Sequence, residues 1–304
     1  MSSSPARVRT GEPSAGPAVG DVIVDWYADA ARDLPWRRPG VDAWAVLVSE
    51  VMLQQTPVAR VEPVWRDWIA RWPTPAHLAL VSPADVIRAW GKLGYPRRAL
   101  RLRDAAVAVV ERHDGVVPDE VAALEALPGV GTYTARAVAC FGYGQPQPVV
   151  DTNVRRVVAR LVHGRAEAGN ARAADLADIT ALAPRDPARA ARFSVAAMEL
   201  GALVCVAGTP RCRACPVRER CAWVRAGSPP SDGPARRVQK FAGTDRQVRG
   251  RLLDVLRAAH APVPVVELDA AWDDAVQRSR CLHSLVADGL VEQTEDGRFT
   301  LPGS

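Results

Sequence analysis

Two carboxylates occupy positions that could do chemistry, Glu50 and Asp151. Glu50 lies inside the segment Trp44 to Gln55, which is apolar nearly all round. Trp44, Leu47, Val48, Val51 and Met52 make one face, while Val46 and Leu53 cover the other. A helix of that pattern is buried. A carboxylate inside it is costly unless paired or protonated, and its pKa is expected to rise. That suits a general acid; the alternative is a glutamate at the domain rim. Asp151 follows the extended Gln147-Pro148-Val149-Val150 and precedes a helix with Val154, Val157, Val158 and Leu161 on one face. Aspartate is a good N-cap there, and that reading suffices without catalysis. A capping carboxylate is also expected to stay ionised beside the positive end of its helix, and a cationic sugar intermediate needs such an anion. The pair matches glycosidic cleavage, in which one acid protonates the leaving group and one carboxylate faces an oxocarbenium-like centre. Breaking a nucleoside C1′–N bond asks for the same two roles, once the base is flipped out of the stack.

Cys205, Cys212, Cys215 and Cys221 form the pattern C-x6-C-x2-C-x5-C. Four thiolates on one short loop can wrap a single soft metal centre, either structural zinc or a [4Fe–4S] cluster. Structural zinc usually comes as two C-x2-C knuckles. Only one pair here has that spacing, which leans toward iron–sulfur. Cys140 and Cys281 sit alone on apolar helix faces and read as core.

A third constellation is Leu127-Pro128-Gly129-Val130-Gly131. A helix is expected from Asp119 to Leu127, with Val121, Leu124 and Leu127 on one face, and another from Thr132. Pro128 stops the first, and the glycines permit backbone angles that other residues resist. Without side chains there, a phosphate can approach the amides at the start of the second helix. The alternative is an ordinary helix–helix turn. Upstream of a four-cysteine loop, the L-P-G-V-G form reads as a helix–hairpin–helix that grips nucleic-acid backbone without reading sequence.

These residues need a scaffold. Residues 1–20 lack apolar side chains to bury and are expected to be disordered. From Asp21 to about Trp223, helical apolar spacing alternates with Pro/Gly breaks and no clear strand alternation intervenes, so an all-α fold follows. A Gly/Ser/Pro-rich linker spans 226–243. Beyond it, in 244–304, Val248, Leu252, Val255 and Leu256 give one helical stripe, and Leu282, Leu285, Val286 and Leu290 another. Val291 to Leu301 then reads as two short strands around Asp296-Gly297, suggesting a small winged-helix-like module. The net charge of +5 and pI near 9.1 fit a polyanionic partner. No secretory leader or membrane-spanning run is seen, so a cytosolic protein with reduced cysteines is expected.

Taken together, the chain over about 21–225 closely resembles the MutY-type adenine DNA glycosylases, in the helix–hairpin–helix superfamily that includes endonuclease III. The resemblance rests on Leu34-Pro35-Trp36, Ser49-Glu50-Val51-Met52-Leu53-Gln54-Gln55-Thr56, Gly94-Tyr95, Leu127 to Gly131, Val150-Asp151-Thr152-Asn153-Val154-Arg155-Arg156, Met198-Glu199-Leu200-Gly201 and the cysteine loop. Ala/Arg-rich, short versions of this kind look actinobacterial. The resemblance implies two lobes with duplex DNA across the groove between them. One is a six-helix barrel over about 44–148. The other is a [4Fe–4S] cluster domain from 21–43 and 149–225. By position, Glu50 matches the acid that protonates adenine N7. Asp151 matches the carboxylate that stabilises the C1′ cation, with Asn153 supporting it. Gln54, Gln55, Thr56 and Tyr95 fall in DNA-facing motifs, with Gln55 and Tyr95 matching residues that insert near the opposing guanine or 8-oxoguanine. Leu127, Gly129, Val130 and Gly131 form the hairpin, and Arg155 is expected to meet phosphate.

Tyr133 discriminates within the superfamily. Endonuclease III-like enzymes resemble this chain but carry a lysine there, which attacks C1′ and then cleaves the strand. Here the only lysines are Lys92 and Lys240, so amine-dependent lyase chemistry lacks its usual nucleophile. The resemblance therefore implies a monofunctional, monomeric glycosylase acting on adenine opposite 8-oxoguanine or guanine; a glycosylase/lyase for oxidised pyrimidines is the alternative. Two departures stand out. Gly94-Tyr95-Pro96 replaces the usual Gly-Tyr-Tyr. The 244–304 segment is too short for the Nudix-like domain with which many members recognise 8-oxoguanine, and it lacks the Phe-x-His-type loop expected there.

Overall fold

A computed structural model describes residues 17–231 and 241–304. Most of the expected disordered start and the middle of the expected linker, with Lys240, lie outside these residues. The helices run α1 (Val19–Ala30), α2 (Ala43–Leu53), α3 (Val58–Arg71), α4 (Pro75–Ala79), α5 (Pro83–Trp90), α6 (Arg97–Arg112), α7 (Val121–Glu125) and α8 (Thr132–Tyr143). They continue with α9 (Thr152–Leu161), α10 (Ala174–Leu182), α11 (Pro187–Leu203), α12 (Ala222–Arg225), α13 (Asp245–Ala258), α14 (Val265–Asp269) and α15 (Ala275–Ala287). Among the described residues the strands are β1 (Glu292–Gln293) and β2 (Phe299–Thr300), paired antiparallel, with an isolated bridge from Val263 to Phe299. The all-α reading holds.

The chain forms two compact units. One comprises the described residues up to Ala31 together with Val150–Ser231. The other comprises Arg32–Val149 and the described residues from Phe241 onward. This differs from the expected division in two places. Residues 32–43 go with the barrel, because Leu34 and Trp36 are buried in the same core as Trp44 and Trp65, and the Trp36 and Trp65 rings meet edge-on at 5.7 Å. The C-terminal module also joins the barrel rather than standing apart.

Within the barrel unit, α2 is the central rod, with every residue from Ala43 to Met52 buried. Its first turn is capped by Asp42, which accepts from the Ala45 amide at 2.8 Å. Ser49 can lie in this dry helix because its hydroxyl donates to the Val46 carbonyl at 2.7 Å. Most tryptophans serve packing. Trp68 meets Trp72 and Trp90 edge-on, and the Trp44, Trp65, Trp68 and Trp90 indoles each donate to a backbone carbonyl. That arrangement lets a large apolar ring be buried without an orphaned N–H.

The other unit packs the Val154, Val157, Val158 and Leu161 stripe of α9 with Ile23, Val24 and Tyr27 of α1 and Phe193, Ala197 and Leu200 of α11. The C-terminal module builds its own core from Val248, Leu252, Leu256, Leu268, Cys281 and Leu285, and that core also takes in Ala84 and Ile87 of α5. Helix α5 is thus apolar on two faces, since Val86 and Trp90 face the barrel core.

Candidate active site and cysteine centre

The carboxyl of Glu50 is carried in the interior of α2, and the residue is only 6% exposed. Beyond Leu53 the chain leaves the helix. Gln54 Nε2 reaches Thr134 Oγ1 of α8 at 3.4 Å, and Thr56 Oγ1 donates to the Leu93 carbonyl at 3.2 Å. Gln55 between them is exposed, with φ 57. Tyr95 is 44% exposed with φ 48. Left-handed backbone at a residue other than glycine is strained and persists only where surroundings over-determine it.

Arg98 supplies that determination. Its Nη1 donates to the carbonyls of Val51 at 2.7 Å, Met52 at 3.1 Å and Gln54 at 2.7 Å. Its Nη2 donates to Thr56 Oγ1 and to the Gly94 carbonyl, each at 3.0 Å. One buried guanidinium therefore ties the end of α2 to the Gly94-Tyr95 loop and sets both left-handed residues. Burial pulls its pKa down to about 10, so it stays charged at neutral pH. The sequence reading passed over this residue. The available signal was its register, since Arg98 shares the apolar face of α6 with Leu102, Ala105 and Val109.

In the hairpin, Leu127 and Val130 are buried while Gly129 and Gly131 are exposed. The preceding helix, α7, is shorter than expected and ends at Glu125. Gly129 has φ +76, and a Cβ there would sit 2.7 Å from Arg101 Cβ, so conformation and space both require glycine. Gly131 starts α8 with no side-chain cap on the first amides, the condition under which a helix N-terminus favours an anion. Tyr133 is half-buried in the first turn of α8. Lys92 pairs at 3.4 Å with Asp254 of the C-terminal module.

In the other unit, Asp151 caps α9 as expected, with Oδ1 accepting from the Val154 amide at 2.7 Å. Oδ2 accepts from Asn153 Nδ2 at 2.6 Å. Burial pushes this carboxyl above the ordinary aspartate value, although the Val154 and Asn153 donors and the Arg156 charge pull the other way. The expectation from the helix end alone left out that burial. Asn153 is itself fixed: Oδ1 accepts from Arg156 Nη2 at 2.7 Å, and Gly201 of α11 leaves the space it fills, since a Cβ at Gly201 would sit 2.7 Å from Asn153 Cβ. Arg156 also donates to the carbonyls of Cys205 at 2.6 Å and Gly201 at 2.7 Å. A continuous set of hydrogen bonds thus runs from the Asp151 carboxylate to the backbone of the first cysteine. Arg155 is tied inside this unit, to Asp175 at 2.8 Å and the Gly169 carbonyl at 2.8 Å.

Cys205, Cys212, Cys215 and Cys221 line one cavity with Arg160 and Trp223. Arg160 Nη1 donates to Cys205 Sγ at 3.4 Å and to the Val206 carbonyl at 2.8 Å, and its guanidinium lies over the Trp223 ring. Burial pushes the Cys215 thiol up to about 11, with the neighbouring cysteines adding to the rise. Four thiolates can share this cavity only if a cationic centre neutralises them. Among the described residues no three His, Cys, Asp or Glu side chains are arranged to hold a single metal ion. Cys140 and Cys281 are buried core residues.

The HhH-GPD superfamily model, described as base excision DNA repair proteins, matches residues 48–178. The adenine DNA glycosylase of Mycobacterium tuberculosis is 62% identical, covering 92% of this chain and 92% of that protein. The corresponding enzyme of Mycolicibacterium smegmatis is 60% identical over 92% of this chain and 95% of its own length. Among solved structures, a thermostable thymine-DNA glycosylase superposes with a TM-score of 0.62 at 25% identity, covering 68% of this chain and 95% of that one.

Proposed function

The chain belongs to the adenine DNA glycosylases of the HhH-GPD superfamily, and from that premise we propose which residues perform the reaction and on which mispair. The substrate is duplex DNA in which adenine stands opposite 8-oxoguanine or guanine. Glu50 delivers its proton to N7 of the flipped adenine. The C1′–N9 bond then breaks with its electron pair leaving on the base, and Asp151, oriented by Asn153, faces the C1′ cation. Water adds at C1′ and loses its proton, giving free adenine and an abasic site. Tyr133 offers no amine to C1′, so the strand stays intact. Gln55 and Tyr95 enter the duplex beside the opposing purine, and the exposed glycines Gly129 and Gly131 hold phosphate through the hairpin backbone. Arg155, being bonded to Asp175 and Gly169, keeps α9 and its neighbours in register. The reading rests above all on Glu50, a carboxyl buried inside an apolar helix. The enzyme acts as a monomer in the cytoplasm; among the described residues no helix is long and apolar enough to cross a membrane.

The donor set fits a [4Fe–4S] cluster held by Cys205, Cys212, Cys215 and Cys221. Four thiols line the cavity, and burial beside one another raises the Cys215 thiol, a charge conflict that a shared cationic centre would relieve. When bound, the cluster neutralises the four thiolates and pins the loop that Arg156 and Arg160 grip. The purified protein is expected to be brown, with broad absorbance near ~400 nm that Cys215→Ser removes; a colourless protein holding one zinc would refute this.

The deciding measurement is single-turnover base release from duplexes with adenine opposite 8-oxoguanine, adenine opposite guanine, and thymine glycol opposite adenine. Adenine release without a strand break is expected, and Glu50→Gln should slow it by about 10²–10⁴-fold. Thymine glycol release with nicking, and a borohydride-trapped adduct, would move the chain to the lyase branch. Undiminished release by Glu50→Gln would remove Glu50 as the acid.

A further inference from the structure

We propose that Arg246, in the C-terminal module, is a positioning residue for Tyr95, so that this short module takes part in reading the base opposite the excised adenine. Its guanidinium lies over the Tyr95 ring, 5.4 Å from the centroid, and that of Arg98 lies over the same ring at 5.6 Å. Tyr95 thus meets two cations, one buried in the barrel and one exposed on the first turn of α13. The backbone angle of Tyr95 is set by the Arg98 network. Its ring, 44% exposed, needs a separate restraint if it is to meet a purine in one orientation. A guanidinium over an aromatic face supplies one, and the ring quadrupole orients it.

The module is fixed firmly enough for this. Leu252 and Leu256 share a core with Ala84 and Ile87 of α5. Arg88 donates to the Ala259 carbonyl at 3.2 Å, and Arg257 donates to the Ile87 carbonyl at 3.2 Å, so backbone is bonded in both directions. Asp288 accepts from Arg249 within the module at 2.6 Å and from Arg97 of the barrel at 3.1 Å. Arg97 lies two residues from Tyr95. These ties place the start of α13 beside the Gly94-Tyr95 loop and hold it there. Pro96, where the family has a second tyrosine, removes one aromatic from the loop. Arg246 brings a flat, π-stacking group against the remaining Tyr95 ring from another part of the chain.

The inference rests on the functional reading above, and the test separates the two. Dissociation constants are measured for a duplex carrying an uncleavable adenine analogue opposite 8-oxoguanine. The full-length protein is compared with Arg246→Ala, Arg246→Lys, Tyr95→Leu and the Arg246→Ala/Tyr95→Leu pair, and single-turnover release is run in parallel. Arg246→Ala should weaken binding about two- to five-fold, the range of an exposed cation–π contact, with part of the loss recovered by Arg246→Lys. In the Tyr95→Leu background the Arg246→Ala loss should vanish. Equal losses in both backgrounds, or no loss in either, would overturn the proposal. If the unsubstituted protein released no adenine from any mispair, the functional reading itself would fall. Normal adenine release with additive variants would remove only Arg246.

Discussion

In the barrel unit a single guanidinium, that of Arg98, gathers the carbonyls of Val51, Met52, Gln54 and Gly94. In the other unit two arginines one helical turn apart divide a similar task. Arg156 takes Asn153 and the Gly201 and Cys205 carbonyls, while Arg160 takes Ala166, Val206 and the Cys205 sulfur. Both devices fix backbone that no regular element could fix. They differ in what remains when one guanidinium is lost. Around Arg98 the Val51 and Met52 carbonyls would lose their side-chain donor, while Gly94 keeps the Trp90 indole and Gln54 the Thr56 hydroxyl. Around α9 the neighbouring Arg160 still holds the loop at Cys205 and Val206. Concentrating the bonds in one residue gives a rigid junction with less reserve, whereas dividing them gives tolerance.

Three substitutions sharpen that contrast. The largest effect is expected from Arg98→Met, which takes the side-chain donor from the buried Val51 and Met52 carbonyls and unties the Gly94 loop, and should lower stability by about 3–5 kcal/mol in urea titrations. A loss under about 1 kcal/mol would show that the junction is held by other means. Arg156→Gln should cost about 1–2 kcal/mol in the same assay and also move the pH profile. The Arg156 charge opposes the burial that raises Asp151. Its removal raises that carboxyl further, so protonation sets in earlier on acidification. If the reaction runs as proposed, with Asp151 as an anion, the acid limb of the single-turnover rate should shift to higher pH; an unmoved limb would uncouple Arg156 from Asp151. Smallest is Gly129→Ala, which must strain a left-handed position and displace Arg101, costing about 1 kcal/mol. DNA affinity should drop while release from bound substrate stays near normal. A variant that binds duplex as tightly as the parent would remove the hairpin from the interface.

The candidate side chains for the proposed chemistry stand out in the amino-acid order, because each is marked by its local surroundings. Glu50 interrupts an all-apolar helix, Asp151 stands at a helix start, and the cysteines and the Leu127–Gly131 hairpin announce themselves by spacing. The arginine junctions were not visible in that way. Arg98 acts on carbonyls more than forty residues distant in sequence, and every residue has a carbonyl, so side-chain patterns carry no mark of which ones are needy. The place of the C-terminal module was hidden for a related reason. Helix α5 is too short for a period to show that Ala84 and Ile87 need a second cover, although its apolar positions on two faces hold that information.

That docking changes what the segment between Ser231 and Phe241 has to do. Residues 241–304 are held to α5 by leucines and by hydrogen bonds in both directions. Two fragments expressed separately and divided in that interval would be expected to find each other and co-purify, a natural split point. The covalent tether then serves chiefly as local concentration, speeding assembly of a contact that the side chains already specify.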